Sequence, residues 1–197
     1  MELIAYSLLL IAFMETEIKF RIADVRELED RLRALRFTEQ TKPTSEMNVL
    51  YDFPDRRLRS HGELLRLRRY GEKWVVTHKA PGNTGRHKSR LETETHVNDG
   101  DAVGRILEAL GLKPVFRYQK FRSEWSDSKG HVVIDKTPIG DFAEIEGEAD
   151  WIDETAQKLE VTPEQYITQS YGELFADWKR RTGSKAEDMT FAGVKAQ

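Results

Sequence analysis

Glu15-Thr16-Glu17-Ile18-Lys19-Phe20 sets two carboxylates and an ammonium on alternate residues. Successive side chains of a strand point to opposite faces, so Glu15, Glu17 and Lys19 share one face while Ile18 and Phe20 share the other. A face built this way suits a divalent cation together with the phosphates such a cation carries.

The same parity extends through the chain. Strands are expected at about 15–22, 46–53, 63–70, 73–80, 88–97, 116–126, 130–136 and 141–148, several joined by turn chemistry such as Tyr70-Gly71-Glu72-Lys73 and Asp127-Ser128-Lys129-Gly130. Arg66 and Arg68 oppose Leu65 and Leu67, and Lys79 lies with Thr77 against Trp74 and Val76. Arg90, Glu92 and Glu94 alternate with Leu91 and Thr93, Lys120 and Arg122 with Phe121, Asp135 with Ile134, and Glu144 and Glu146 with Ala143 and Ile145. In an open sheet the charged face would simply be solvated. Here, however, acidic and basic pairs sit on different strands, whereas a solubilising surface mixes the two signs. If the sheet closes, the charges line a channel and the apolar faces pack outward.

Three helices punctuate this pattern. Asp24 caps a helix to about Arg36 with Val25, Leu28, Leu32 and Leu35 on one stripe. A second runs from about Asp101 to Leu110 and stops at Gly111, and Thr162-Pro163-Glu164-Gln165 reads as a cap leading into a third over 166–179. The class is α+β, mainly β: an antiparallel barrel or strongly curved sheet with flanking helices. One domain is expected over residues 14–182, with a polar, frayed tail over 183–197.

Composition narrows the chemistry. The net charge of −3 in 197 residues gives no global field for nucleic acid, so any affinity for a polyanion must be local. Without cysteine, thiolate catalysis, disulfides and sulfur-ligated metals are excluded, and a reducing, cytoplasmic setting fits. The apolar run 3–13 is too short to span a bilayer comfortably, and it lacks the basic region and cleavage site of a secretory signal. Because Met14 follows it at once, residues 1–13 read as a disordered extension or a mis-assigned start, with no stable membrane association. There is no Walker-type loop and no G-x-G-x-x-G, and the histidines show no zinc spacing. The sequence leaves a homodimer open.

Glu15-x-Glu17-x-Lys19 resembles the E-x-E-x-K signature of CYTH domains, the triphosphate tunnel metalloenzymes. The likeness continues through Leu65–Arg69, Thr77–Gly82, Ser89–Glu94, Tyr118–Arg122 and Gly140–Gly147, covering about residues 14–178. It implies an eight-stranded antiparallel closed tunnel that takes Mg²⁺ or Mn²⁺ and acts on ATP or another triphosphate. By the same resemblance, Glu15, Glu17, Glu144 and Glu146 are metal-binding carboxylates, with Asp135 a further ligand or an acceptor behind them. Lys19, Arg66, Arg68, Lys79, Lys120 and Arg122 form the triphosphate clamp, joined by Arg90; Lys19, Lys79, Arg122 and Asp135 are the catalytic candidates. Glu92 and Glu94 fit the lining without a defined role. Gly140–Ile145, Lys120-x-Arg122-Ser123 and Ser170–Leu174 are similar to segments of class IV adenylyl cyclase-like bacterial members, which convert ATP to cyclic AMP and pyrophosphate. Other members resemble inorganic or thiamine triphosphatases, and a polyphosphate- or nucleotide-binding module without catalysis is the third reading.

Overall fold

The computed structural model describes residues 11–195. In chain order it contains β1 (Ile11–Arg21), α1 (Val25–Ala34), β2 (Thr38–Asp52), α2 (Arg57–Ser60), β3 (Leu64–Tyr70), β4 (Lys73–Lys79) and β5 (Asn83–Thr84). There follow β6 (Lys88–Val97), α3 (Gly100–Ala109), β7 (Lys113–Ser126), β8 (His131–Thr137) and β9 (Gly140–Glu146). The chain ends with α4 (Ala149–Lys158), a 3₁₀ turn (Pro163–Gln165), α5 (Tyr171–Thr182) and α6 (Phe191–Lys195).

Eight antiparallel strands run in the order β1-β9-β8-β7-β2-β3-β4-β6, and β6 pairs back to β1, so the barrel closes; β5 is a two-residue spur on β6. Closure sends the charged parity inward and the apolar parity outward. Ile18, Phe20, Trp125, Val132, Ile134, Ala143 and Ile145 form one outer core with Leu28 and Leu32 of α1 and Trp151, Ile152 and Ala156 of α4. Leu67 and Tyr51 pack with Val103 and Leu107 of α3. At one end the inward residues turn apolar: Leu50, Phe116, Tyr118 and Phe142 meet Tyr171, Leu174 and Phe175, so α5 stoppers the lumen there.

Local signals explain the helices. The Asp24 carboxylate accepts from the Arg26 and Glu27 amides, and Asp99 accepts from Ala102. The expected helix over 166–179 begins later. Thr162 and Gln165 do form a capping box, but only on a 3₁₀ turn. Ile167 then exchanges backbone hydrogen bonds with Lys19, and Ser170 with Glu173 builds the second capping box that starts α5. Helix α4 was not foreseen, since Glu148 supplies no side-chain cap.

Two expectations about the termini need correction. Ile11, Ala12 and Phe13 are not an extension: they belong to β1, opposite Glu94, Thr93 and Glu92 of β6. Residues 1–10, the remainder of that expected segment, lie outside the described residues. The tail after Gly183 is not frayed either. Strand β7 pairs with β8 only from Phe121 onward, which leaves a free edge at Arg117–Gln119. Met189 fills it, donating to the Arg117 carbonyl at 3.0 Å and accepting from the Gln119 amide at 2.9 Å. Its side chain is fully buried in the α5 cluster, and the Phe121 and Phe191 rings lie 5.5 Å apart.

A buried methionine truncated to alanine costs roughly 2–5 kcal/mol, whereas a frayed one costs about nothing. Met189→Ala is therefore expected to lower stability by at least about 2 kcal/mol in urea denaturation. A midpoint equal to wild type would contradict the docked tail.

Candidate active site in the barrel lumen

Strand register brings the predicted side chains together. Across β1 and β9, Glu17 stands opposite Glu146 and Lys19 opposite Glu144; across β1 and β6, Glu15 faces Arg90 and Glu17 faces Lys88. Like charges opposite one another are unfavourable, and Glu15, Glu17 and Glu146 each offer an oxygen within 4.8 Å of the others. Burial and the charges of Glu15, Glu144 and Glu17 push the Glu146 carboxyl up to about 8. Three hard oxygen donors whose mutual repulsion a cation would relieve fit a hard divalent cation.

Glu144 and Asp135 are bound up differently. Glu144 accepts from Lys19 Nζ at 2.7 Å and from Arg122. Burial would raise its carboxyl, but Lys19, Arg122 and Lys120 hold it well below the usual range. Asp135, fully buried, accepts from Arg122 Nε at 2.8 Å, Arg122 Nη2 at 2.6 Å, Lys120 Nζ at 2.9 Å and the Tyr171 hydroxyl at 2.7 Å. The structure thus divides the expected carboxylates into a cluster of three whose oxygens lie within 4.8 Å of one another and a pair held by several cations.

The opposite wall is basic. Lys79 Nζ lies 2.9 Å from Glu15 and also contacts Glu92. Burial and a hydrogen bond with Glu15 raise Glu92 to about 8, while Glu15 falls to about 2, since Lys79 and that hydrogen bond outweigh its own burial. Arg68 donates to both oxygens of Glu94 at 3.1 and 3.2 Å, and Arg66 reaches Thr77 at 3.1 Å and Glu94 at 3.6 Å. Buried Nε groups on Arg66, Arg68 and Arg90 have no hydrogen-bond partner among the described residues.

Three lumen residues escaped the sequence reading. Glu46, 1% exposed, sits 3.4 Å from Lys120 and 4.0 Å from Arg68 and accepts from Asn48 at 2.8 Å. Lys88 Nζ pairs with Glu17 at 2.7 Å. Lys88 shares the parity of the recognised Arg90, and Glu46 opens the expected strand 46–53, so alternation was the available signal. Tyr171 opens α5, outside every strand pattern; its ring lies 4.8 Å from Lys19 Nζ and 5.0 Å from Lys120 Nζ.

Glu46 carries a pH consequence. Its burial favours the neutral acid, but Lys120, Arg122, Arg68 and Arg66 outweigh this and lower its pKa from 4.5 to about 2. A depressed carboxyl contributes stability present above its unfolded pKa and lost as pH falls through the folded value, on the order of 3 kcal/mol here. Glu46→Gln is expected to melt lower than wild type at neutral pH and to flatten the stability profile between about pH 4.5 and 2. An unchanged profile in thermal melts across that window would contradict the pairing.

The CYTH domain family model matches residues 14–171. A Methanocaldococcus jannaschii protein provisionally named an adenylate cyclase is 28% identical over 172 residues, spanning 82% of this chain and 98% of that protein. A Vibrio parahaemolyticus structure, likewise provisionally named an adenylate cyclase, superposes with a TM-score of 0.72 at 21% identity over 83% of this chain and 98% of that one. A Hippeastrum protein, provisionally named an adenylyl cyclase and described as revealing a dominant triphosphatase activity, gives a TM-score of 0.62 at 18% identity over 83% and 95%. Strand order, charged lumen and sequence match agree: this chain belongs to the CYTH domain family.

Proposed function

We propose that this protein is a divalent-metal-dependent enzyme that binds a triphosphate in the barrel lumen and, with ATP as substrate, forms cyclic AMP and pyrophosphate. The observation that carries this reading is the juxtaposition of Glu15, Glu17 and Glu146 with a wall of ammonium and guanidinium groups inside a closed barrel. Glu15, Glu17 and Glu146 would hold the cation, which when bound supplies charge neutralisation to the phosphates. Lys79, Lys88, Arg66, Arg68 and Arg90 supply donors to non-bridging oxygens, and Lys19, Lys120 and Arg122 supply others from the facing strands. In the cyclase reaction the ribose 3′-oxygen attacks the α-phosphorus, its proton passes to a lumen carboxylate, and pyrophosphate departs into the clamp. Asp135 fixes the orientation of Lys120 and Arg122, so it acts through them rather than on the reacting atoms.

Hydrolysis of the terminal phosphate is the second reading, favoured by the triphosphatase activity described for the Hippeastrum protein. The same clamp would then present the terminal phosphorus to water. The nearer relative's name as an adenylate cyclase supports the first reading. Among the described residues no helix is long and apolar enough to cross a membrane.

Incubation with ATP and with tripolyphosphate, resolving cyclic AMP, pyrophosphate, ADP and orthophosphate, separates the two readings. Recovery of intact triphosphate after prolonged incubation with metal would leave only a binding module. The Glu15→Gln, Glu17→Gln double variant is expected to lose metal-dependent turnover while keeping its fold, and full activity would overturn the proposed metal site. Arg66→Ala and Lys79→Ala each remove a charged hydrogen-bond donor, worth roughly 1.5–3 kcal/mol, so KM is expected to rise about 10- to 100-fold. An unchanged KM in both would place the triphosphate elsewhere.

A further inference from the structure

We propose that the cavity between the end of β1 and α5, outside the lumen, is a separate subsite for a phosphate-class anion held by Arg21 and Arg181. The cavity, about 330 Å³, is lined by Arg21, Ile167, Gln169, Leu174, Asp177, Arg180 and Arg181. It therefore gathers three guanidinium groups around one carboxylate. That carboxylate is already taken: Asp177 accepts from Gln169 Nε2 at 2.9 Å and from Arg180. Arg21 and Arg181 have no carboxylate within ion-pair distance among the described residues.

Basic residues in the last turn of α5 have an ordinary reason to exist, since they complement the helix C-terminus. Arg21 has no such reason, because it comes from a strand. Its guanidinium is held 4.6 Å from the Phe142 ring centroid, on the stopper of the lumen, and Gly140 leaves room beside it, since a Cβ there would come within 3.4 Å of its Nη1. Burial together with the charge on Arg181 lowers its pKa. Two like charges thus converge on a concave surface whose one carboxylate, Asp177, already accepts from Gln169 and Arg180. Guanidinium forks match paired oxygens of an oxyanion, and two converging cations favour the more highly charged phosphates over a carboxylate, so the ligand chemistry is orthophosphate or pyrophosphate. An anion bridging Arg21 and Arg181 would tie β1 to α5, the helix whose first residue holds Asp135.

The test separates this subsite from the lumen. In the Arg66→Ala, Lys79→Ala variant, calorimetric titration with orthophosphate and with pyrophosphate is expected to retain one binding site. Adding Arg21→Gln and Arg181→Gln is expected to weaken that site at least tenfold. In the otherwise wild-type protein, the Arg21→Gln, Arg181→Gln pair should reduce pyrophosphate stoichiometry from two to one, a measurement that holds even if the lumen variant fails to fold. Loss of all binding in a folded lumen variant, indifference to the arginine pair, or equal displacement by chloride at matched ionic strength would each overturn the subsite. None of these results depends on which reaction the lumen performs.

Discussion

The barrel depends on neutralising the charges that its closure turns inward. Removing an ion from water costs several kcal/mol, so a lumen lined with carboxylates, ammonium groups and guanidinium groups is tolerable only if each finds partners. Cross-strand pairs provide them: Lys19 with Glu144, Lys79 with Glu15, Lys88 with Glu17, Lys120 with Glu46, and Arg122 with Asp135. Each joins residues from different strands, so the same contacts that satisfy the charges also hold the register. The apolar parity completes the arrangement from outside, against α1, α3 and α4.

The pairing is uneven, and the unevenness suggests how a ligand enters. Both Asp135 oxygens are engaged, Oδ1 by Arg122 and Oδ2 by Arg122, Lys120 and Tyr171. Glu15 and Glu17 each have a lysine partner, whereas Glu146, clustered with them, has no ion pair among the described residues, and the Nε groups of Arg66, Arg68 and Arg90 have no hydrogen-bond partner there. A metal-bound triphosphate would add the missing cation on one side and the missing oxygens on the other. Lys79 and Lys88 could exchange carboxylate for phosphate without either charge becoming unpaired. On this account the internal ion pairs stand in for the ligand, which lowers the cost of keeping the lumen charged before it binds.

Much of this was legible because strands alternate strictly. The parity of Glu15, Glu17 and Lys19 indicated an inward face, and repetition through Arg66–Arg68, Lys120–Arg122 and Glu144–Glu146 implied a lining. The same rule, carried two residues back from Arg90 and applied to the expected strand 46–53, would have yielded Lys88 and Glu46. The first half of β2 was hidden because residues 38–45 are polar on both parities and pair only along an exposed ladder with β7. Tyr171 was illegible for another reason: a helix's first residue reaching Asp135 is a tertiary fact with no periodic signal. The docking of Met189 was equally silent, since it fills a strand edge exposed by the different lengths of β7 and β8. Like-charge clustering left a site, but the division of its carboxylates between a cluster of three and a pair held by several cations required three-dimensional register.

The central claim is that Glu15, Glu17 and Glu146 form a cation site completed by a phosphate chain. Titration of Mn²⁺ followed by electron paramagnetic resonance, on wild type and Glu146→Gln with and without tripolyphosphate, tests it most directly. The account predicts one tight Mn²⁺ in wild type when tripolyphosphate is present, weakened at least tenfold by Glu146→Gln. Equal Mn²⁺ affinity in the two proteins would contradict it.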